Sequence, residues 1–320
     1  MRSTAVGAAR AHAKAILCGE HAVVYGAPAI AIPIPQLEAT AHAEWGTGPA
    51  DTVELVGADG SLVVGPDNLT QILPAFRRIR VRPADAARVT VRCGIPSRRG
   101  LGSSAACARA AAAAVAELFE TRLTDDECFE LIQAAEGIAH GTPSGVDARA
   151  TGAQVPIWFE RGTATDLFVD GDGVLVVADS GESGDTQTAI ARVGRHFRGN
   201  AGARSSFVKD SAWITGRIRQ RLAVGDLSAV GELLTRNQLL LSELRLSTDH
   251  IDQLVGAAVR SGAYGAKLSG GGLGGVVIAL VASHSRADRV EAAMTKAGAV
   301  GTWRVELRRR VDFQQTRAAR

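Results

Sequence analysis

Residues 100–118 read GLGSSAACARAAAAAVAEL, a glycine turn, two serines and an alanine-rich run. Gly100 and Gly102 allow tight backbone and close approach to a bound group. The helix expected to follow would present free N–H groups and a positive dipole end. Ser103 and Ser104 add hydroxyls able to meet phosphate oxygens or a Mg²⁺ ion. The chemistry that fits is anion binding. The GxxxxGK[ST] pattern is absent, so this is not a Walker A loop. A plain helix start capped by serine would use the same residue types.

Three other segments could act with it. In HGTPSGVDARAT, Asp147 follows a Pro-Ser-Gly turn, where it could be a base, a metal ligand or a turn carboxylate. Eleven residues upstream, Glu136 sits late in a helix, where a carboxylate opposes the dipole and gains from a cation. A surface glutamate is the simple alternative. Lys14 enters an apolar strand, with Glu20 and His21 on the following turn; snorkelling at a strand edge would also account for it. KLSGGGLGG places five glycines between two apolar runs. A hairpin needs one or two, so backbone approach to a ligand or another segment is the better reason.

The elements that must position these residues can be read from the pattern. AKAILCGEHAVVYGAPAIAIPI reads as strand, turn, strand, with AVVYG as a β-type run. TAHAEW, DTVELVG and SLVVG extend a meander, NLTQILPAFRRI has helical spacing, and ARVTVRCGI alternates as a strand. The alanine helix runs to about Phe119. A second helix starts at Thr124 with Glu127 in capping-box position and ends near Gly141, before Pro143. GAQVPIWFE and GVLVVADSG are strands, residues 185–221 are mostly helix, and DLSAVGELLTRNQLLLSEL and the segment from Ser247 or Thr248 are helices. Strand, helix and strand close the chain over AKLSGGGLGGVVIALV, RADRVEAAMTKAG and GTWRVELRRRV. Early strands and later helices give an α+β class rather than a doubly wound parallel sheet. A domain boundary falls between residues 155 and 185.

Composition narrows the function. The 320 residues are 46% hydrophobic but only 4% aromatic, so packing must rest on aliphatic side chains and close backbone approach. Few aromatics and a net charge of +3 argue against nucleic-acid binding. The basic clusters at Arg77–Arg82, Arg98–Arg99 and Arg308–Arg310 read as solvated faces. Cys18, Cys93, Cys107 and Cys128 form no CxxC pair and suggest no zinc site, which fits a reducing, cytoplasmic setting. No signal peptide or membrane span is expected.

In this order, GEHAVVYG, IPSRRGLGSSAA, HGTPSGVDA, NQLLLSEL and GAYGAKLSGGGLGG resemble the GHMP kinase superfamily, and within it the mevalonate kinase family, from about Lys14 to Gly275. The resemblance implies an α+β, two-domain GHMP kinase fold. A ribosomal protein S5 domain 2-like N-terminal domain would span residues 1–170 and bind ATP, and a ferredoxin-like C-terminal domain would span 171–320, with the active site in the cleft between them. It implies transfer of the γ-phosphoryl group of ATP to an alcohol, here (R)-mevalonate, with Mg²⁺. Phosphomevalonate kinase, another GHMP small-molecule kinase and a non-catalytic regulator on the same fold are the alternatives.

Carried onto this chain, the resemblance assigns the phosphates to Arg99, Gly100, Leu101, Gly102, Ser103 and Ser104. Ser104 and Glu136 become metal ligands, and Asp147 the catalytic aspartate with Lys14 as partner. Glu20, His21, Ser144, Thr186 and Gly271 lie toward the substrate with Lys14 and Asp147. His21, Arg98 and Arg195 are candidates for the substrate carboxylate. Homodimers are common in the superfamily. Ala13 stands where glycine is usual, SELRLS replaces LGVS, and Ser269 and Gly271 replace Thr and Ala; these touch substrate selectivity rather than the chemistry.

Overall fold

A computed structural model describes residues 6–79, 85–140 and 143–307. Arg80, Arg82, Arg308–Arg310 and the expected helix end at Gly141 lie outside them. The chain divides into two interleaved compact units. The first holds residues 1–15, 31–154 and 183–188; the second holds 16–30, 155–182 and 189–320. A single cut at residue 170 misses this exchange of segments.

In chain order the elements begin with β1 (Val6–Cys18), β2 (Ala29–Trp45), β3 (Thr52–Val56), β4 (Leu62–Val64), α1 (Asp67–Thr70), α2 (Ile72–Ile79), β5 (Ala87–Cys93), α3 (Ser103–Leu118), α4 (Asp125–His140) and α5 (Val146–Ala150). In the first unit the strands run β4-β3-β5-β2, with β1 also on β2. β3 lies parallel to β5, which a meander would not allow. AIAIPI and TAHAEW are not two strands but the two ends of β2, which continues through Pro33 and Pro35. AVVYG is not a strand: Ala22–Tyr25 form a 3₁₀ turn between His21 at φ 58° and Gly26 at φ 87°. Left-handed residues at both ends break the extended run that its Val-Val pair suggests.

Half of helix α3 is buried alanine, with Ala105, Ala106, Ala108, Ala110 and Ala112 at 0% exposure. Small side chains let it seat deep against β5 and α4. The capping box of α4 forms as expected. Thr124 N donates to Glu127 Oε2 at 2.9 Å, and Glu127 N donates to Thr124 Oγ1 at 3.2 Å.

The second unit adds β6 (Ile157–Glu160), β7 (Thr163–Asp166), β8 (Val174–Asp179), α6 (Thr186–Phe197, whose first turn belongs to the first unit), α7 (Ala201–Leu222), α8 (Leu227–Glu243), α9 (Asp249–Arg260), β9 (Gly265–Ser269), β10 (Val276–Val281), α10 (His284–Lys296) and β11 (Gly301–Glu306). Its antiparallel sheet has the order β11-β8-β10-β9. Helices follow the first strand and separate the last two, which is the ferredoxin-like arrangement. Thr248 caps α9 through Ile251 N at 3.2 Å. Backbone approach replaces aromatic bulk here too: a Cβ on Gly265 would sit 1.9 Å from the Gly231 carbonyl oxygen. Among the described residues no helix is long and apolar enough to cross a membrane.

Candidate active site

The start of α3 is not a serine cap. Its N-cap is Gly102, left-handed at φ 72°, so Ser103 and Ser104 are the first helical residues and no side chain caps the first turn. Gly102, Ser103 and Ser104 line a cleft of about 870 Å³ in the first unit. Glu136 of α4, Asp147 of α5, Arg98, Arg99 and Thr186 line the same cleft. Leu55, Val63 and Leu69 give the cleft an apolar end.

Lys14 lies beneath the glycine turn. Its side chain is 3% exposed, and its Nζ pairs with Asp147 Oδ1 at 2.9 Å and donates to the Gly100 carbonyl at 3.0 Å. The backbone is fixed as well, Lys14 N donating to Leu101 O at 3.0 Å. A buried ammonium is tolerated only with such partners. A Cβ on Gly102 would lie 3.0 Å from Lys14 Cε and 3.1 Å from Cγ, so this position must be bare to admit the lysine shaft. Lys14, Gly100 and Asp147, far apart in sequence, thus form one cluster. The Asp147 side chain keeps 37% exposure, able to meet both Lys14 and a ligand.

Asn68, at the start of α1, donates to Ser104 Oγ at 3.0 Å. No local sequence signal marks Asn68, since its partner is 36 residues away. Arg99 Nη1 donates to Ser183 Oγ at 3.1 Å, and the Arg98 carbonyl accepts from Gly184 N at 2.8 Å, fixing the segment that carries Thr186. Thr186 is exposed in the first turn of α6. Ser144 is not among the cleft-lining residues; its Oγ accepts from Val146 N at 3.4 Å.

A second constellation forms within the other unit. Glu20 pairs with Lys267, both side chains at or below 2% exposure, and Lys267 also donates to the Leu268 carbonyl. Lys267 carries the same sequence signal as Lys14, a lysine inside an apolar strand. Ser269 Oγ accepts from Ile16 N at 2.8 Å and donates to Ile16 O at 2.9 Å, giving the threonine-to-serine departure an anchoring role. Gln238 accepts from Leu268 N at 2.9 Å and donates to Ser247 Oγ at 3.0 Å, so NQLLLSEL braces the glycine-rich turn.

His21 Nε2 lies 2.9 Å from the Gly271 carbonyl. A carbonyl only accepts, so Nε2 carries the hydrogen. Burial lowers the His21 pKa below its ordinary value, partly opposed by the bond to Gly271 and by Glu20. A neutral imidazole is a weak anchor for a carboxylate, which leaves Arg98, on the cleft, and Arg195, exposed in α6, as the cationic candidates.

Ser104 and Glu136 fit a magnesium ion. Both offer hard oxygen on one cleft, and Asn68 occupies one side of the hydroxyl, leaving the other for a cation. Magnesium binds to few protein ligands and takes the rest from phosphates and water.

Known proteins resemble this chain over most of its length. The family described as GHMP kinases N terminal domain matches residues 69–153, and GHMP kinases C terminal matches residues 218–300. A mevalonate kinase of Aeropyrum pernix is 32% identical over 287 residues, covering 85% of this chain and 88% of its own. The structure of L. major mevalonate kinase in complex with R-mevalonate superposes with a TM-score of 0.81 at 25% identity, over 95% of this chain and 97% of that one. Mevalonate kinase from Staphylococcus aureus MRSA252 gives a TM-score of 0.70 at 30% identity, over 95% and 99%. The chain belongs to the GHMP kinase family, among its mevalonate kinases.

Proposed function

We propose that this chain transfers the γ-phosphoryl group of ATP to the 5-hydroxyl of (R)-mevalonate, giving (R)-5-phosphomevalonate and ADP in the mevalonate route to isoprenoids. The observation that carries the residue assignment is the Lys14–Asp147 pair at 2.9 Å, beside an uncapped helix start bearing two hydroxyls. Asp147 accepts the proton of the attacking hydroxyl as the new O–P bond forms and the bond from the β–γ bridging oxygen to Pγ breaks. Lys14 holds the Asp147 carboxylate in place and stabilises the developing alkoxide. Residues 99–104 receive the phosphates through first-turn amides, Ser103 and Ser104. Leu55, Val63 and Leu69 offer the adenine an apolar wall. Ser104 and Glu136 would hold Mg²⁺, which when bound supplies charge neutralisation to the phosphates. Glu20, His21, Ser144, Thr186 and Gly271 are assigned to the substrate side. The reading is of a cytoplasmic protein, with a homodimer as the assembly that the resemblance allows.

A coupled ADP-release assay with Mg-ATP tests this. It compares (R)-mevalonate, 5-phosphomevalonate, galactose and homoserine. Turnover confined to mevalonate is expected. Turnover of phosphomevalonate instead would move the chain to a different substrate of the same family. ATP binding without turnover of any alcohol would contradict enzymatic function.

A further inference from the structure

Helix α5 has five residues. A helix that short does not hold itself together in water. The direction of the Asp147 carboxylate therefore depends on what holds α5: Lys14 at the carboxylate itself, the buried Val146, Ala148 and Ala150, and two arginines. Arg149, its own residue, donates to Asp125 O at 3.1 Å and to Asp126 Oδ1 at 2.8 Å at the start of α4. Arg109 comes from α3, the helix that begins with the phosphate-binding hydroxyls.

Arg109 Nη2 donates to the Ala148 carbonyl at 2.6 Å, and its Nε donates to Thr151 Oγ1 at 3.3 Å. Thr151 Oγ1 in turn donates to the Asp147 carbonyl at 3.0 Å. Thr151 is fully buried, and its own carbonyl accepts from His12 N at 3.3 Å, two residues before Lys14. One guanidinium thereby braces the backbone on either side of the Lys14–Asp147 pair. Its two hydrogen-bond acceptors are neutral oxygens, and among the described residues it makes no ion pair. The seat is shaped for it: a Cβ on Gly152 would lie 2.4 Å from Arg109 Cζ. The planar fork reaches two acceptors at fixed separation, which a lysine ammonium does not reproduce.

We propose that Arg109 is a positioning residue for phosphoryl transfer, locking α5 onto α3 so that one rigid helix sets both the phosphate hydroxyls and the Asp147 carboxylate. This rests on the functional reading above.

The test compares wild type with Arg109→Ala, Arg109→Lys and Gly152→Ala on whichever alcohol the wild type turns over. Failure of wild type on mevalonate then refutes the substrate and not the role of Arg109. Arg109→Ala is expected to lose roughly 10- to 100-fold in kcat, the scale of a misplacement near 1 Å, with both KM values within about twofold. Millimolar guanidinium should restore much of the loss, which a merely structural defect would not show. Arg109→Lys should fall between. Gly152→Ala keeps the guanidinium but displaces it, and should reproduce the kcat loss; it decides the matter if Arg109→Ala fails to fold. Retention of kcat within about twofold in Arg109→Ala, or in Gly152→Ala, would overturn the proposal, as would a loss that guanidinium leaves untouched.

Discussion

Replacing Gly102 by alanine separates two consequences of one methyl group. The residue has φ 72°, where an L side chain costs about 1–2 kcal/mol. The new Cβ would also lie 3.0 Å from Lys14 Cε and 3.1 Å from Cγ, against about 3.5–4.0 Å for relaxed carbon contacts. The lysine must give way by about half an ångström or more. It has little freedom, because its backbone bonds Leu101 and its ammonium is held by Asp147 and Gly100. A misplacement of 1 Å near the reacting groups can cost about 10²-fold, so half of that predicts a loss of about tenfold in kcat. Gly162→Ala is the control: Gly162 has φ 82° and nothing within 4 Å of a Cβ, so it carries backbone strain without the collision. Urea unfolding and the ADP-release assay are run on both. Both variants should lose about 1–2 kcal/mol of stability, and only Gly102→Ala should lose kcat. A folded Gly102→Ala enzyme with kcat within twofold of wild type would refute the argument that the bare glycine fixes Lys14.

Ser104→Ala and Glu136→Gln should each raise the Mg²⁺ concentration needed for half-maximal rate while leaving the melting temperature nearly unchanged without metal; unaltered Mg²⁺ titrations would exclude them as ligands. Lys267→Met leaves the Glu20 carboxylate buried without its ammonium and should cost about 3–5 kcal/mol in urea unfolding, with most of it recovered in Glu20→Gln/Lys267→Met. A single variant as stable as wild type would contradict the buried pair. The His21 pKa is lowered by folding, so above its ordinary value of 6.5 the group adds no pH dependence. As pH falls below 6.5 the unfolded chain takes the proton first, and stability drops by up to about 1.4 kcal/mol per pH unit until the folded value is passed. His21→Gln should remove that share of the loss between pH 7 and 5; equal pH slopes in both proteins would refute it.

What the sequence made legible was local. The capping box at Thr124 and Glu127, the glycine turn into α3 and the misfit of Lys14 in an apolar strand each declare themselves within a few residues. The partnership of Lys14 with Asp147 was not local, and it was carried by the family resemblance. Misreadings came where tertiary context overrode a local pattern. AVVYG has strand composition, yet His21 and Gly26 turn the backbone left-handed on either side of it. DTVELVG reads as the next strand of a meander, yet β3 pairs parallel with β5, a pairing no local pattern reports. Helix α5 is too short to show a period, and what orders it, its buried Val146, Ala148 and Ala150 with Arg109 and Arg149, is tertiary. Asn68 and Arg109 carry no motif, because their roles exist only through the side chains they touch in the folded unit.

The central claim is that Asp147, paired with Lys14, takes the proton from the alcohol while the glycine turn holds the nucleotide independently. Steady-state kinetics of Asp147→Asn with (R)-mevalonate, beside a direct measurement of ATP affinity, test it most directly. A kcat lower by roughly 10²-fold or more with nucleotide Kd little changed is expected. Near-normal turnover by Asp147→Asn would contradict it.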